Sequence, residues 1–252
     1  MGDESVADAR AAQGFARQAS SYDRHAQLQR AVAWRLARHC LSLALPPGPM
    51  ADLGAGSGLL GRALEQQGFR GSLQQLDGCR ALLAHNPLAA SHGQLIWNLD
   101  QGLPRNLNGC GLLTSSFALQ WLQDPPGQLE LWCRSLAPGG WLALAVPTAG
   151  SFPQWEQAAT RAAVPHSRWP LPDAAVLEAA AARHLQLERR DQLRFSRSYG
   201  SGLGFLRHLQ QLGAGLVSGT PLATGQLRRL LRQWPDQGVV TWNVLILVGQ
   251  RP

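Results

Sequence analysis

Asp52-Leu53-Gly54-Ala55-Gly56-Ser57-Gly58 sets three glycines at alternate positions directly behind an acid. Glycine lets the backbone approach a ligand closely and take turns that a side chain forbids. Between a strand and a helix, such a stretch is a candidate cofactor cradle. Gly56, Gly58 and Gly61 also satisfy the Gly-x-Gly-x-x-Gly dinucleotide fingerprint, so a dinucleotide and another adenosyl cofactor both stay open on this motif alone. Asp77 stands 19 residues after Gly58, and a carboxylate at a strand end there can accept both hydroxyls of an adenosine ribose with either cofactor. Its competing role is a helix N-cap for the segment starting at Gly78. Asp100, in Asn98-Leu99-Asp100, can accept the exocyclic amine of an adenine, or serve as a turn acid.

The elements that must position these groups follow from periodicity. Leu28, Val32, Leu36 and Leu43 form one helical stripe, predicting an amphipathic helix over Asp23 to Leu43 that ends before Pro46 and Pro47. Met50 to Leu53, Ser72 to Asp77, Gln94 to Asn98, Gly111 to Ser116 and Trp141 to Val146 read as strands. Leu59 to Gln67, a short stretch from about Arg80, and Gln128 to Leu136 read as intervening helices, the last stopping at Pro138-Gly139-Gly140. This alternation predicts an α/β fold: a Rossmann-like, doubly wound, mostly parallel seven-stranded sheet with helices on both faces. Asp77, Asp100 and the glycine turn then share the carboxyl edge, where ligands bind in such sheets. Beyond Pro147, helices are expected over Ser151 to Ala163 and Pro172 to Ala182, strands over Leu185 to Phe195 and Val239 to Gly249. Between those two strands, helices at Tyr199 to Leu212 and Pro221 to Trp234 read as an inserted cap at about 199–234. Residues 1–45 are expected to form a helical lid and 46–252 the main domain.

Composition narrows the class. The 252 residues are 45% hydrophobic without the continuous apolar run of ~18 that a spanning helix needs. The acids Asp3, Glu4 and Asp8 fit neither a secretory signal nor a transit peptide, so a soluble, cytoplasmic protein is expected. Cys40, Cys79, Cys110 and Cys133 have no metal-site spacing; reduced structural thiols and no metal are expected. All 23 basic residues are Arg, and the net charge is +7, which favours an anionic partner.

The acid ahead of the glycines and the later markers favour S-adenosylmethionine over a dinucleotide. Asp52 to Gly58, Asp77, Asn98 to Asp100 and Leu136-Ala137-Pro138-Gly139-Gly140 together resemble the motif set of class I S-adenosylmethionine-dependent methyltransferases. A narrower resemblance is to the malonyl-acyl-carrier-protein O-methyltransferases of biotin synthesis. It is carried by Phe15-Ala16-Arg17, Tyr22-Asp23, His25 to Arg30 and Ser115-Ser116-Phe117-Ala118-Leu119-Gln120-Trp121. Gly150 to Pro153, Leu171-Pro172 and Gly213-Ala214 follow in the family's order. Gly78-Cys79-Arg80 departs from it, where the family has a Ser and a Met-Leu pair, and no Phe-Asp precedes the fourth strand. The resemblance implies that the cofactor meets Tyr22, Asp52, Gly54, Ala55, Gly56, Gly58, Asp77, Gly78, Leu99, Asp100, Ser115 and Ser116.

It further implies that Tyr22, Gln120 and Trp121 position the acceptor, the free carboxylate of a malonyl thioester. A carboxylate is ionised at neutral pH, so no general base is expected. Tyr22 could equally be an aromatic staple of the first helix, and Trp121 plain core. Arg17 and Arg197 are candidates to meet the substrate carboxylate. Arg24, Arg35 and Arg38 on the first helix, and Arg228 with Arg232 on the late one, are either solvated faces or a dock for an acidic acyl carrier protein; malonyl-coenzyme A is the alternative carrier. No membrane is expected, and nucleic acid is disfavoured by the absence of an Asn-Pro-Pro-aromatic motif after the fourth strand.

Overall fold

A computed structural model describes residues 13–165, 169–214, 222–235 and 238–252. The first 12 residues of the expected lid lie outside the described residues, as does Pro221. Seven strands form one sheet: β1 (Met50–Leu53), β2 (Gln74–Asp77), β3 (Gln94–Ile96), β4 (Cys110–Ser116), β5 (Leu136–Pro147), β6 (Gln186–Ser198) and β7 (Val239–Gln250), in the order β3-β2-β1-β4-β5-β7-β6. Neighbours among β1 to β5 pair in parallel. β7 lies between β5 and β6, antiparallel to both.

Side chains alternate across this sheet, as the pleat requires, and each face gains its own core. Trp141, Ala143 and Ala145 of β5 and Val244, Ile246 and Val248 of β7 point to one face. Covering it are α1 (Gln27–Cys40), α2 (Leu59–Gln66), α4 (Pro153–Arg161), α6 (Gly202–Gln211) and α7 (Thr224–Arg232). Leu142, Leu144 and Val146, with Leu245 and Leu247, point to the other face, under α3 (Pro125–Arg134) and α5 (Ala174–Ala182). The doubly wound arrangement is therefore present, with helices on both faces.

Three boundaries differ from the sequence expectation for identifiable reasons. The helix expected over Asp23 to Leu43 breaks at Ala26 (φ −78°, ψ 45°), giving a single turn at Tyr22–His25 and then α1. The side chain of Ala26 is fully buried, and the break turns Tyr22 and Asp23 towards the sheet edge. α3 begins at Pro125 rather than Gln128, because the Asp124 carboxylate accepts from the Gly127 N–H at 3.1 Å and proline is tolerated in the first turn. The helix ends at Arg134, and Pro138-Gly139-Gly140 lies inside β5 instead of merely stopping α3. There the Gly139 N–H donates to the Arg251 carbonyl and the Arg251 N–H to the Gly140 carbonyl, at 2.7 and 2.8 Å. A Cβ on Gly140 would sit 2.5 Å from the Cys110 carbonyl oxygen, so strand packing demands that glycine.

The insertion between β6 and β7 is packed into the sheet's own core. Phe205 of α6 is fully buried against Phe152 and Trp155, with ring centroids 5.4 and 6.0 Å away, and Trp234 adds a third ring at 5.9 Å. All four cysteines are free and buried. Among the described residues no helix is long and apolar enough to cross a membrane, and no cluster of His, Cys, Asp and Glu could hold a metal ion. Because the insertion shares the core, Phe205→Ala is expected to cost about 3–5 kcal/mol while urea unfolding, followed by Trp fluorescence and circular dichroism, remains one coincident transition.

Candidate functional site

The carboxyl ends of β1, β2 and β4 converge with the amino-terminal turn on a cavity of about 380 Å³, within the range of small-molecule sites. Its floor is the turn after β1. Gly54 has φ +73°, and a Cβ there would lie 2.1 Å from the Ala118 Cβ; glycine lets the segment after β4 close on the turn. Gly54 and Ala55 donate their N–H groups to the Leu76 carbonyl at 2.9 and 2.8 Å, stitching the turn to β2.

Asp77 completes that seam. Its Oδ2 accepts from the Gly56 N–H at 2.8 Å and its Oδ1 from the Cys79 N–H at 2.7 Å. The N-cap of the next helical turn is Cys79, so the cap role considered for Asp77 is not the one it takes. Burial raises the Asp77 carboxyl above the ordinary value, opposed by those two backbone hydrogen bonds. Asp52 is 1% exposed. Its Oδ1 accepts from the Thr114 hydroxyl at 2.9 Å, and its Oδ2 is buried without a partner. Burial pushes its carboxyl up to about 7, with the Thr114 hydrogen bond opposing and the Asp77 charge adding to the rise.

The amino-terminal segment forms the opposite wall. Asp23 accepts from the Ser57 hydroxyl at 2.5 Å and from the Arg62 guanidinium, binding the turn that bears it to the glycine turn and α2. Tyr22 thereby faces Asp77, and burial first, then the charges of Asp77 and Asp23, raise its hydroxyl well above the ordinary value of 10.0. It is a donor, never a phenolate, at neutral pH. Phe15 packs edge-on to Tyr22 and Trp121 at 6.2 and 5.4 Å.

The cavity thus gathers Tyr22, Asp52, Gly54, Ala55, Gly56, Asp77, Gly78, Leu99, Asp100, Ser116 and Trp121 from the residues expected at the site. Asp100 Oδ1 accepts from the Gln123 N–H at 2.9 Å, which ties β3's exit to the segment after β4. Three expected residues stand outside the lining. Gly58, with φ +81°, caps α2, and a Cβ on it would meet Asn86 Oδ1 at 2.3 Å. Ser115 points to the other side of β4 from Ser116 and donates to the Leu53 carbonyl at 2.8 Å. Gln120 is buried; its side-chain amide donates to the Phe117 carbonyl at 2.7 Å, and its backbone carbonyl accepts from the Trp169 indole at 2.9 Å. Gln120 therefore braces Phe117, a cavity residue held at φ +58°, a backbone conformation that non-glycine residues adopt at a cost. Arg17 and Arg197 are exposed and line no part of the cavity.

Gln29, Ser57, Cys79, Trp97 and Phe117 also line the cavity and were not among the expected site residues. Gln29 carried a signal: it lies on the buried face of α1 with Ala26, Val32, Ala33 and Leu36, where a polar side chain is out of place unless it serves something. Gln29 Oε1, Asp52 Oδ2 and Ser116 Oγ are buried polar atoms without partners in the cavity wall. Two are acceptors, suited to a cationic group of a ligand, and such atoms are costly to leave unpaired. With the Asp77 carboxylate and the close-approach glycines, this donor and acceptor set fits an adenosyl amino acid carrying an ammonium.

Comparison with known proteins gives the same direction. A methyltransferase domain model matches residues 22–194. The chain is 35% identical over 260 residues to a malonyl-[acyl-carrier protein] O-methyltransferase of Alcanivorax borkumensis, covering 95% of this chain and 85% of that protein. It is also 35% identical over 240 residues to the biotin biosynthesis bifunctional protein BioCD of Bordetella avium; this match covers 90% of the chain but only 49% of the bifunctional protein, so the chain spans about half that relative's length. Among solved structures, the fold is similar to YcgJ of Bacillus subtilis, with TM-score 0.57, 12% identity and coverage of 88% and 98%. It is also similar to geranyl diphosphate C-methyltransferase of Streptomyces coelicolor bound to S-adenosyl-L-homocysteine, with TM-score 0.52, 13% identity and coverage of 88% and 79%.

The raised Asp52 carboxyl has a consequence for stability. Its folded value of about 7 lies above the ordinary 3.8, so the native state binds this proton more tightly than the unfolded chain. The contribution is complete below pH ~4 and is lost as pH rises to ~7, a change on the order of 2–4 kcal/mol. Across that window the melting temperature of the wild type is expected to fall relative to Asp52→Asn; parallel curves would show that Asp52 titrates normally.

Proposed function

The chain belongs to the methyltransferase domain family, and from that premise we propose that it methylates the free carboxylate of a malonyl thioester, carried by an acyl carrier protein or coenzyme A, in biotin precursor synthesis. Its cofactor is S-adenosylmethionine, which when bound supplies a sulfonium methyl as the electrophile. What supports the acceptor is that the likeness to the Alcanivorax protein runs through 95% of the chain, so that the amino-terminal segment and the insertion take part in it. On this reading residues 1–45 act as a lid and about 199–234 as a cap over a methyltransferase domain.

The chain's own residues then have binding and orienting work to do. Asp77 is placed for ribose hydroxyls, and Gln29 and Asp52 for the ammonium of the amino-acid end. Asp100 and Leu99 border the expected adenine position. A malonyl carboxylate needs no deprotonation, so no residue has to take up a proton. Phe15, Phe117, Trp121 and Leu122 supply an apolar wall that excludes water from a step in which opposite charges are neutralised, and such a step is favoured in a dry site. Tyr22, held as a neutral donor, can orient a carboxylate without competing as a nucleophile. Holding the reactants in line is the main source of rate in such a site.

The test is transfer of labelled methyl from the cofactor to malonyl, succinyl and glutaryl thioesters. Malonyl thioesters are expected to be the preferred acceptors, and an absence of transfer to any dicarboxyl thioester would refute the reading. Asp77→Ala removes the carboxylate proposed to meet the cofactor, together with one brace of the glycine turn at Gly56 and one of the segment after β2 at Cys79. It is expected to weaken S-adenosylhomocysteine binding by about 1.5–3 kcal/mol in calorimetry, with the variant still folded at 25 °C.

A further inference from the structure

The charge of this protein is unevenly placed. Residues 1–182 hold 13 Arg and 13 Asp or Glu, whereas residues 183–252 hold 10 Arg and 3 acids, so the entire +7 surplus belongs to the last 70 residues. Arg183 pairs with Glu130, and Arg251 donates to the carbonyls of Arg134 and Leu136. The other eight Arg side chains of this segment are all exposed, on β6, α6 and α7, and none enters an ion pair among the described residues. Exposed cations outside ion pairs repel one another and attract a complementary anionic surface.

The sheet register brings some of these cations to the cavity's edge. β5 ends at Pro147, opposite Val244, which lies opposite Leu193 of β6. Arg194 to Ser198 therefore project about five residues, or ~16 Å, past the end of β5. Because β6 runs parallel to β5, this projection is at the carboxyl edge. Contacts lead from it to the cavity wall. The Arg197 guanidinium carbon lies 5.2 Å above the Tyr199 ring, Tyr199 stacks on His208 at 4.9 Å, and His208 meets His25 at 6.3 Å. His25 ends the turn that begins with the cavity residue Tyr22.

We propose that the projecting end of β6 and the exposed sides of α6 and α7 form the docking surface for an acidic protein, the one that delivers the acyl acceptor to the cavity. The identification of that protein as the acceptor's carrier rests on the function proposed above. Charge complementarity argues for the occupant: Arg197, on the face of β6 that carries Leu193 and Phe195, and Arg207, Arg228 and Arg232, on helices covering that face, are exposed cations outside any ion pair among the described residues. Leu203 of α6, 38% exposed and four residues before Arg207, adds an apolar contact of the sort that protein interfaces place among polar ones. Single-stranded nucleic acid is the weaker fit, since it needs aromatic faces on which to stack bases. The exposed aromatic among the described large hydrophobics is Trp34, on α1.

The experiment measures binding and turnover separately with the full chain. Fluorescently labelled holo-acyl carrier protein is titrated by anisotropy against the wild type and three double variants: Arg197→Glu/Arg207→Glu, Arg228→Glu/Arg232→Glu, and Arg35→Glu/Arg38→Glu as a comparison on α1. An unchanged melting shift with S-adenosylhomocysteine verifies that each variant is folded. The first two variants are expected to weaken carrier binding, and to raise the KM for malonyl carrier, by about tenfold or more, with a wild-type affinity that falls as salt is added. The α1 variant and every KM for malonyl-coenzyme A should stay within about twofold, the change expected when few charges are engaged. Carrier affinity unaltered by both rim variants, or lost instead in the α1 variant, would overturn the dock, as would loss of a short RNA's binding with carrier affinity intact. The two proposals fail separately. If the carrier binds at the rim but no malonyl thioester is methylated, the reaction is wrong and the dock stands; if malonyl-coenzyme A is methylated and the rim variants bind carrier normally, the reverse holds.

Discussion

Asp77 ends a central strand with both carboxylate oxygens committed to backbone N–H groups, one on the glycine turn after β1 and one at Cys79. Charge-assisted hydrogen bonds of this kind are roughly twice as strong as neutral ones, and the one to Gly56 adds a side-chain tie to the seam that the Gly54 and Ala55 N–H groups already make with the Leu76 carbonyl. Gly56 can donate to Asp77 only because the turn runs through three glycines at positive φ. The same turn presents Ser57 to Asp23, which with Arg62 fastens the amino-terminal segment across the site. Remove the Asp77 carboxylate and the cavity loses a wall contact and a brace of the turn that forms its floor.

That arrangement carries a cost that the function can recover. Two acids, the buried Asp52 and the half-buried Asp77, lie close enough for the Asp77 charge to raise the Asp52 carboxyl, and desolvation disfavours the ionised form of each. A structure selected for stability alone would not keep Asp52 Oδ2, Gln29 Oε1 and Ser116 Oγ unpartnered in one wall. On the proposed reading a cationic cofactor would supply the missing partners, and the energy withheld in the free protein would be returned on binding. This is also why no general base is needed: the site's acids serve binding, while the acceptor arrives ionised. The surplus Arg side chains stay outside the cavity, where they can act on a partner's approach without neutralising the acids within.

Much of this was legible in the sequence where a local rule acts alone. Strand, glycine turn and helix followed from residue type and period, and each of the seven strands overlaps an expected one, although β5 begins at Leu136 rather than Trp141 and β6 runs on to Ser198. Ser115 and Ser116 show the limit. In a strand, adjacent side chains take opposite faces, so one of the two had to turn away, but the face on which the site lies depends on neighbours β1 and β5. Gln120 shows another. A polar residue beside Trp121 looked like an acceptor contact, yet the left-handed backbone at Phe117 claims its amide, and no spacing rule announces such strain. The break at Ala26 was invisible because helix propensity continues through it; tertiary ties from Asp23 to Ser57 and Arg62 override the propensity. Gln29 alone could have been found, as a polar side chain on an apolar stripe.

Asp52 is a desolvated acid that a bound cation would relieve, and a count of the protons released on binding measures that relief. S-adenosylhomocysteine, which keeps the ammonium, would be titrated calorimetrically at pH 7 in buffers of different ionisation enthalpy, with the wild type and Asp52→Asn. With its carboxyl at about 7 in the free protein, Asp52 is half protonated, so the account predicts release of about half a proton per ligand beyond that seen with the variant. Equal proton exchange for the two proteins would contradict it.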